Sequence, residues 1–91
     1  MSSDWDTVSF VISSRYRSVV LRNLVDGPAT PSQIAEQSDV GIAHISRALG
    51  ELRDEGLVEL LVSEERRKGR VYGITEDGSA IWETITAESL I

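Results

Sequence analysis

The chain has no cysteine, which excludes disulfides, thiolate metal sites and cysteine nucleophiles. It has a single histidine, His44, and one imidazole cannot build a metal site alone. No apolar run approaches the roughly 20 residues that a membrane-crossing helix needs. The opening Met1-Ser2-Ser3-Asp4-Trp5-Asp6 lacks the basic region of a signal peptide. A glycine-rich phosphate loop is missing, as is a clustered carboxylate pair in a plausible cleft. These absences point away from an enzyme, a cofactor, a metal and a membrane partner, and toward a cytoplasmic protein. Lysine is also scarce: Lys68 stands alone among nine basic residues.

What is present is acid. The net charge of −6 argues at first sight against a nucleic-acid partner. Its distribution softens the objection. Arg15, Arg17 and Arg22 cluster without an acid, and Arg66, Arg67, Lys68 and Arg70 outnumber Glu64 and Glu65. Residues 71–91 carry Glu76, Asp77, Glu83 and Glu88 and no base. Acid excess with arginine in place of lysine fits a salt-rich cytoplasm such as that of a halophilic archaeon. The plainer account is an ordinary acidic protein with a chance shortage of lysine. The 91 residues make one small domain over 1–91, and dimerisation would add to the modest surface such a chain buries.

The stretch that organises the rest is Ile42-Ala43-His44-Ile45-Ser46-Arg47-Ala48-Leu49-Gly50-Glu51-Leu52. Ile42, Ile45, Leu49 and Leu52 recur at helical spacing and form one apolar stripe. The opposite face holds Ala43, His44, Ser46, Arg47 and Gly50. It is small and polar with one guanidinium, which suits a DNA groove better than a solvated surface crowded with long charged side chains.

The flanking elements follow in order. Residues 4–12 predict a short helix capped by Asp4, with Trp5, Val8 and Ile12 on one side. Ser13-Ser14 interrupts it, and Ser14 caps a helix over 15–25 with Tyr16, Val19, Val20 and Leu24 inward. One continuous helix is the alternative, since serine does not forbid it. Asp26-Gly27-Pro28 ends this segment. Thr30-Pro31-Ser32-Gln33 is a capping box with proline at the first helical position, opening a helix over 31–38. Ser38-Asp39-Val40-Gly41 is a turn, and Gly41 stands where serine or asparagine would cap the central helix over 42–55 more strongly. Two short helices joined this way make a helix-turn-helix signal. Gly56 closes the central helix. Residues 58–62 and 70–74 predict strands joined by a polar loop, which together form a hairpin wing with a basic tip over 63–70. Thr75 caps a last helix over 76–91, whose apolar positions include Ile81, Trp82 and Ile85 and whose first turn carries Glu76 and Asp77.

This order resembles that of winged-helix transcriptional regulators of the MarR and ArsR type, especially small archaeal ones. Four stretches carry the resemblance: residues 14–21, residues 30–35, Ile45 through Val58, and Gly69 through Gly78. The resemblance implies an α+β fold. A three-helix core with a two-stranded β-hairpin wing would be extended by N- and C-terminal helices. It also implies a homodimer on double-stranded operator DNA. The family's Ser-Arg pair on the reading helix falls on Ser46 and Arg47, and its basic wing falls on Arg66, Arg67, Lys68 and Arg70. Two departures stand out. Gly41 removes a polar cap, and the ligands of the metal-sensing branch are absent.

Candidate DNA contacts are therefore Thr30, Ser32, Gln33, Ala43, His44, Ser46, Arg47, Arg66, Arg67, Lys68 and Arg70. Arg47 suits guanine O6 and N7 or phosphate, with pairing to Glu51 as the plainer use. Thr30, Ser32 and Gln33 sit where a helix N-terminus meets phosphate, with simple capping as the plainer use. Trp5, Phe10, Trp82 and Ile85 on the terminal helices are expected in a dimer interface rather than solely in intramolecular packing. The reading is a sequence-specific dimeric repressor, and the rival is a winged helix that binds protein and no DNA.

Overall fold

The computed structural model describes residues 3–62, 65 and 69–90. Its elements in chain order are α1 (Ser3–Ile12), α2 (Arg15–Leu24), α3 (Pro31–Ser38), α4 (Ile42–Asp54), β1 (Val58–Leu60), β2 (Tyr72–Ile74) and α5 (Glu76–Ala87). This is the expected winged-helix order. Among the described residues no helix is long and apolar enough to cross a membrane.

Local chemistry sets the boundaries. The Ser14 hydroxyl accepts from Arg17 N at 3.3 Å, so α1 and α2 are two helices and not one. The Thr30 hydroxyl accepts from Gln33 N at 3.1 Å, and Gln33 Oε1 accepts from Thr30 N at 2.9 Å, which completes the capping box of α3. Asp39 ends α3 in the left-handed region at φ 58°. Gly56, at φ 76°, turns the chain from α4 into β1. Thr75 caps α5 by accepting from Gly78 N at 3.0 Å.

Two antiparallel strands pair Val58 with Ile74, Glu59 with Gly73 and Leu60 with Tyr72. They are shorter than the expected 58–62 and 70–74. Beyond Leu60, among the described residues, the ladder adds the hydrogen bond from Leu61 N to Val71 O at 2.8 Å. A second attachment lies on the other side of β2. Ala29 and Tyr72 exchange both backbone hydrogen bonds, at 3.0 and 2.9 Å, which hooks the hairpin to the segment just before α3.

The core is apolar throughout. Val20, Leu21 and Leu24 of α2 meet Ile45, Ala48, Leu49 and Leu52 of α4, with Ile34 from α3 and Val8 and Val11 from α1. Several expected faces rotate. Ile42, placed on the core stripe of α4, is 51% exposed because it opens the helix beyond the packed stretch. In α1 the buried pair is Val8 and Val11, while Trp5 and Ile12 lie outside. Ile12 is one residue on from Val11, about 100° around the helix, and as the last residue of α1 it lies on the exposed side of the packed stretch. Leu21, unassigned from the sequence, is fully buried. The first helix begins at Ser3, so Asp4 lies within its first turn, and the last helix ends at Ala87 rather than at residue 91.

The corner from α4 to β1 is locked to the corner from β2 to α5. Thr75 N donates to Leu57 O at 3.0 Å, and its hydroxyl donates to Gly56 O at 2.7 Å. Gly78 packs directly over this corner. A Cβ there would collide with the Leu57 carbonyl oxygen and come within 2.8 Å of Ile74 Cγ1. Gly78→Ala is therefore expected to destabilise the fold by about 1–3 kcal/mol, read from the midpoint of urea unfolding. Gly50 is the opposite case: it sits in α4, exposed, and a Cβ there meets nothing within 4 Å. Gly50→Ala is expected to raise the same midpoint by about 0.5–1 kcal/mol, the helix-propensity difference.

Candidate nucleic-acid interface

Three segments converge on one groove. The first turn of α3 supplies Thr30, Pro31 and Ser32, the start of α4 supplies Ile42 and Ser46, and the base of the wing supplies Gly69, Arg70 and Tyr72. The Ala29–Tyr72 bridge explains the meeting, because it ties the wing to the residue before the α3 cap. The turn between α3 and α4 fixes the second side. Ser38 Oγ donates to Ile34 O at 2.6 Å and Val40 N to Ala35 O at 3.3 Å, while Ile34 and Val40 are buried. Gly69 at φ 65° turns the wing back toward Arg70.

Four of the residues singled out in the sequence, Thr30, Ser32, Ser46 and Arg70, thus line a single surface. Gln33 is exposed beside them, with its carboxamide oxygen held by Thr30 N. Ala43 is exposed on the first turn of α4. Arg66, Arg67 and Lys68 lie outside the described residues.

A neighbouring groove runs between α2 and α4 and is lined by Tyr16, Arg17, His44, Arg47 and Glu51. His44 stacks on Tyr16 with ring centroids 4.3 Å apart and planes 5° from parallel. The imidazole is therefore held against α2 by a neighbour that sequence reasoning had assigned to the core. Glu51 faces two guanidiniums. Arg17 Nε donates to its Oε1 at 3.0 Å, and Arg47 Nε stands 3.6 Å from its Oε2. Arg17 is further held by the Phe10 carbonyl oxygen, 2.6 Å from Nη1, and lies 4.0 Å above the Phe10 ring. Arg47 points outward with its side chain 83% exposed.

The expected dimer residues divide. Trp5 is 56% exposed, and Phe10 and Trp82 are half-buried. Ile85 is fully enclosed within its own chain and offers no surface, which corrects its expected place in an interface. Ile81 and Ile85 are four residues apart and form the core stripe of α5, and Trp82 packs at its edge, half-buried. Tyr16, Ile42 and Tyr72 are lining residues that sequence reasoning missed. Their aromatic or apolar character signalled core, and no local pattern reveals which helix crosses over them. Among the described residues no group of three metal-ligating side chains comes together.

Comparison with solved structures places this arrangement among MarR-type winged helices. MarR family transcription regulator SP03579 is 27% identical, with a TM-score of 0.75 over 85% of this chain and 52% of its own. NMB1585, a MarR family regulator from Neisseria meningitidis, is 26% identical, with a TM-score of 0.73 over 85% of this chain and 55% of its own. The chain thus spans about half the length of these two regulators. The reduced form of the transcriptional regulator YodB from B. subtilis has a TM-score of 0.80 over 99% of this chain and 89% of its own; at 22% identity that likeness shows the fold alone. No curated protein matches the chain. The family model of the HVO_A0261 N-terminal domain matches residues 5–89, nearly the whole sequence, and the chain belongs to that family.

Proposed function

We propose that this chain is a sequence-specific transcription regulator that binds double-stranded DNA as a homodimer and acts as a repressor. One observation carries the reading: the cap of α3, the exposed face of α4 and the base of the wing line one groove, although each was singled out for a different reason. The MarR-type fold supports it. In this reading α4 enters the major groove. Arg47 and His44 meet base edges beside Ala43, and Ser46 meets phosphate. Thr30, Ser32 and the carboxamide nitrogen of Gln33 donate to the backbone. Arg70, with Arg66, Arg67 and Lys68, follows the backbone or the minor groove. Pairing of Arg47 with Glu51 at 3.6 Å on so exposed a side chain is weak enough to yield to DNA.

The whole of 1–91 serves as one DNA-binding domain, with α1 and α5 as its dimer contacts through Trp5, Phe10 and Trp82. Two-fold symmetry then sets half-sites about 34 Å apart. Repression follows by occlusion of a promoter. The net charge of −6 favours the rival reading, a protein-interaction module in the cytoplasm that binds no DNA.

Fluorescence anisotropy against a random duplex pool, at low and at multimolar KCl with selection of bound sequences, separates the two. Recovery of a palindrome supports the regulator, and a folded protein that binds nothing at either salt supports the module. On a selected site, Arg47→Ala is expected to cost about 1–3 kcal/mol of binding and to relax preference at one base pair, with the melting temperature unchanged. The scarcity of basic residues predicts a shallow dependence of affinity on salt, suited to a halophilic cytoplasm. A slope equivalent to about ten phosphate contacts contradicts that expectation.

A further inference from the structure

One carboxylate, Glu51, is shared between α2 and α4. We infer that Arg17 is a positioning residue for Arg47, acting through Glu51; the inference rests on the DNA-binding reading above. Glu51 divides its two oxygens between two unequal partners. Arg17 is held from several sides: by Glu51 Oε1 at 3.0 Å, the Phe10 carbonyl oxygen at 2.6 Å, Ser13 Oγ at 3.4 Å and the Phe10 ring at 4.0 Å. Its side chain is 19% exposed, against 83% for Arg47, whose Nε stands at 3.6 Å from Glu51. Arg17 is the fixed cation and Arg47 the outer one.

The charges show what this arrangement does. Glu51 is four residues along α4 from Arg47, the spacing at which a carboxylate draws a guanidinium down onto the helix surface. Left to Arg47 alone, Glu51 competes with DNA for it, and when Arg47 leaves, a bare carboxylate faces the phosphates. Arg17 removes both penalties. It neutralises Glu51 from the inner side, so Arg47 turns outward without leaving an unpaired negative charge behind. The same contacts tie α1, through Phe10, to the reading face of α4.

The test uses the full chain and a duplex selected by the wild type, with anisotropy at one low salt concentration and a circular dichroism melt of each variant. Arg17→Gln is expected to weaken binding about fivefold, the scale of a partly exposed ion pair. Adding Glu51→Gln to that variant is expected to restore binding to within about twofold of the wild type, because the competing charge is gone. In an Arg47→Ala background, Arg17→Gln is expected to cost clearly less than in the wild type, because the competition for Arg47 is gone and the bare Glu51 carboxylate alone remains. A merely structural role for Arg17 predicts the same loss with and without Arg47, and that outcome overturns the inference, as does equal binding by wild type and Arg17→Gln. Should Arg17→Gln melt below the assay temperature, Glu51→Gln alone decides: equal or tighter binding is expected, and looser binding overturns the inference. A folded wild type that captures no duplex overturns the DNA-binding reading and this inference together, which sets that failure apart from the others.

Discussion

The fold depends on the burial of one short helix. Within the described residues, α2 packs against each of the other four helices and against β2. Its stripe of Val20, Leu21 and Leu24 is shut away from solvent. Removing water from side chains of this size is worth about 1.5–3 kcal/mol each. Everything that points at the candidate interface is referred to this stripe. It sets how α4 crosses and how the hairpin leans. Two of the polar links between elements lie toward its ends: Arg17 in its first turn reaches α4, and Ala29, in the segment that follows it, bonds β2.

No buried residue among those described is polar, and no buried side-chain nitrogen or oxygen lacks a hydrogen-bond partner. The interior therefore specifies the fold by shape alone. Polar side chains are released to two tasks at the surface: closing helix ends, as Ser14, Thr30 and Thr75 do, and lining the grooves beside α4. Thr30 performs both, since its hydroxyl caps α3 while the residue borders the groove. Capping and groove lining are not rival accounts of that residue, although the sequence presents them as such.

Features decided within a few residues were legible from the sequence. The capping box at Thr30, the break at Ser14, the glycine turn at Gly56 and the cap at Thr75 all rest on contacts between near neighbours, and each appears as read. Features decided by distant partners were not. Ile85 and Trp82 are both apolar residues on one helix, and which of them is fully enclosed and which lies at the core's edge depends on where α1 and α2 lie. Strand ends depend on where pairing stops. At the candidate site, the individual residues Thr30, Ser32, Ser46 and Arg70 were found by local chemistry, but their meeting required the Ala29–Tyr72 bridge. The Arg17–Glu51 pair is separated by 34 residues, and Glu51 had been matched with Arg47 instead. Sequence spacing along one helix suggests the partner that is nearest in the chain, and the tighter contact came from another helix.

The bridge between Ala29 and Tyr72 has a mechanical consequence. Two backbone hydrogen bonds, made by a single residue outside the hairpin, extend the β-ladder to the threshold of α3. The base of the wing and the first turn of α3 are therefore not two independent arms. They are the jaws of a caliper joined by peptide hydrogen bonds and not by side chains. If the caliper closes on a duplex, it gauges the spacing between backbones before any base is read, and sequences enter or fail according to the groove width they adopt most easily.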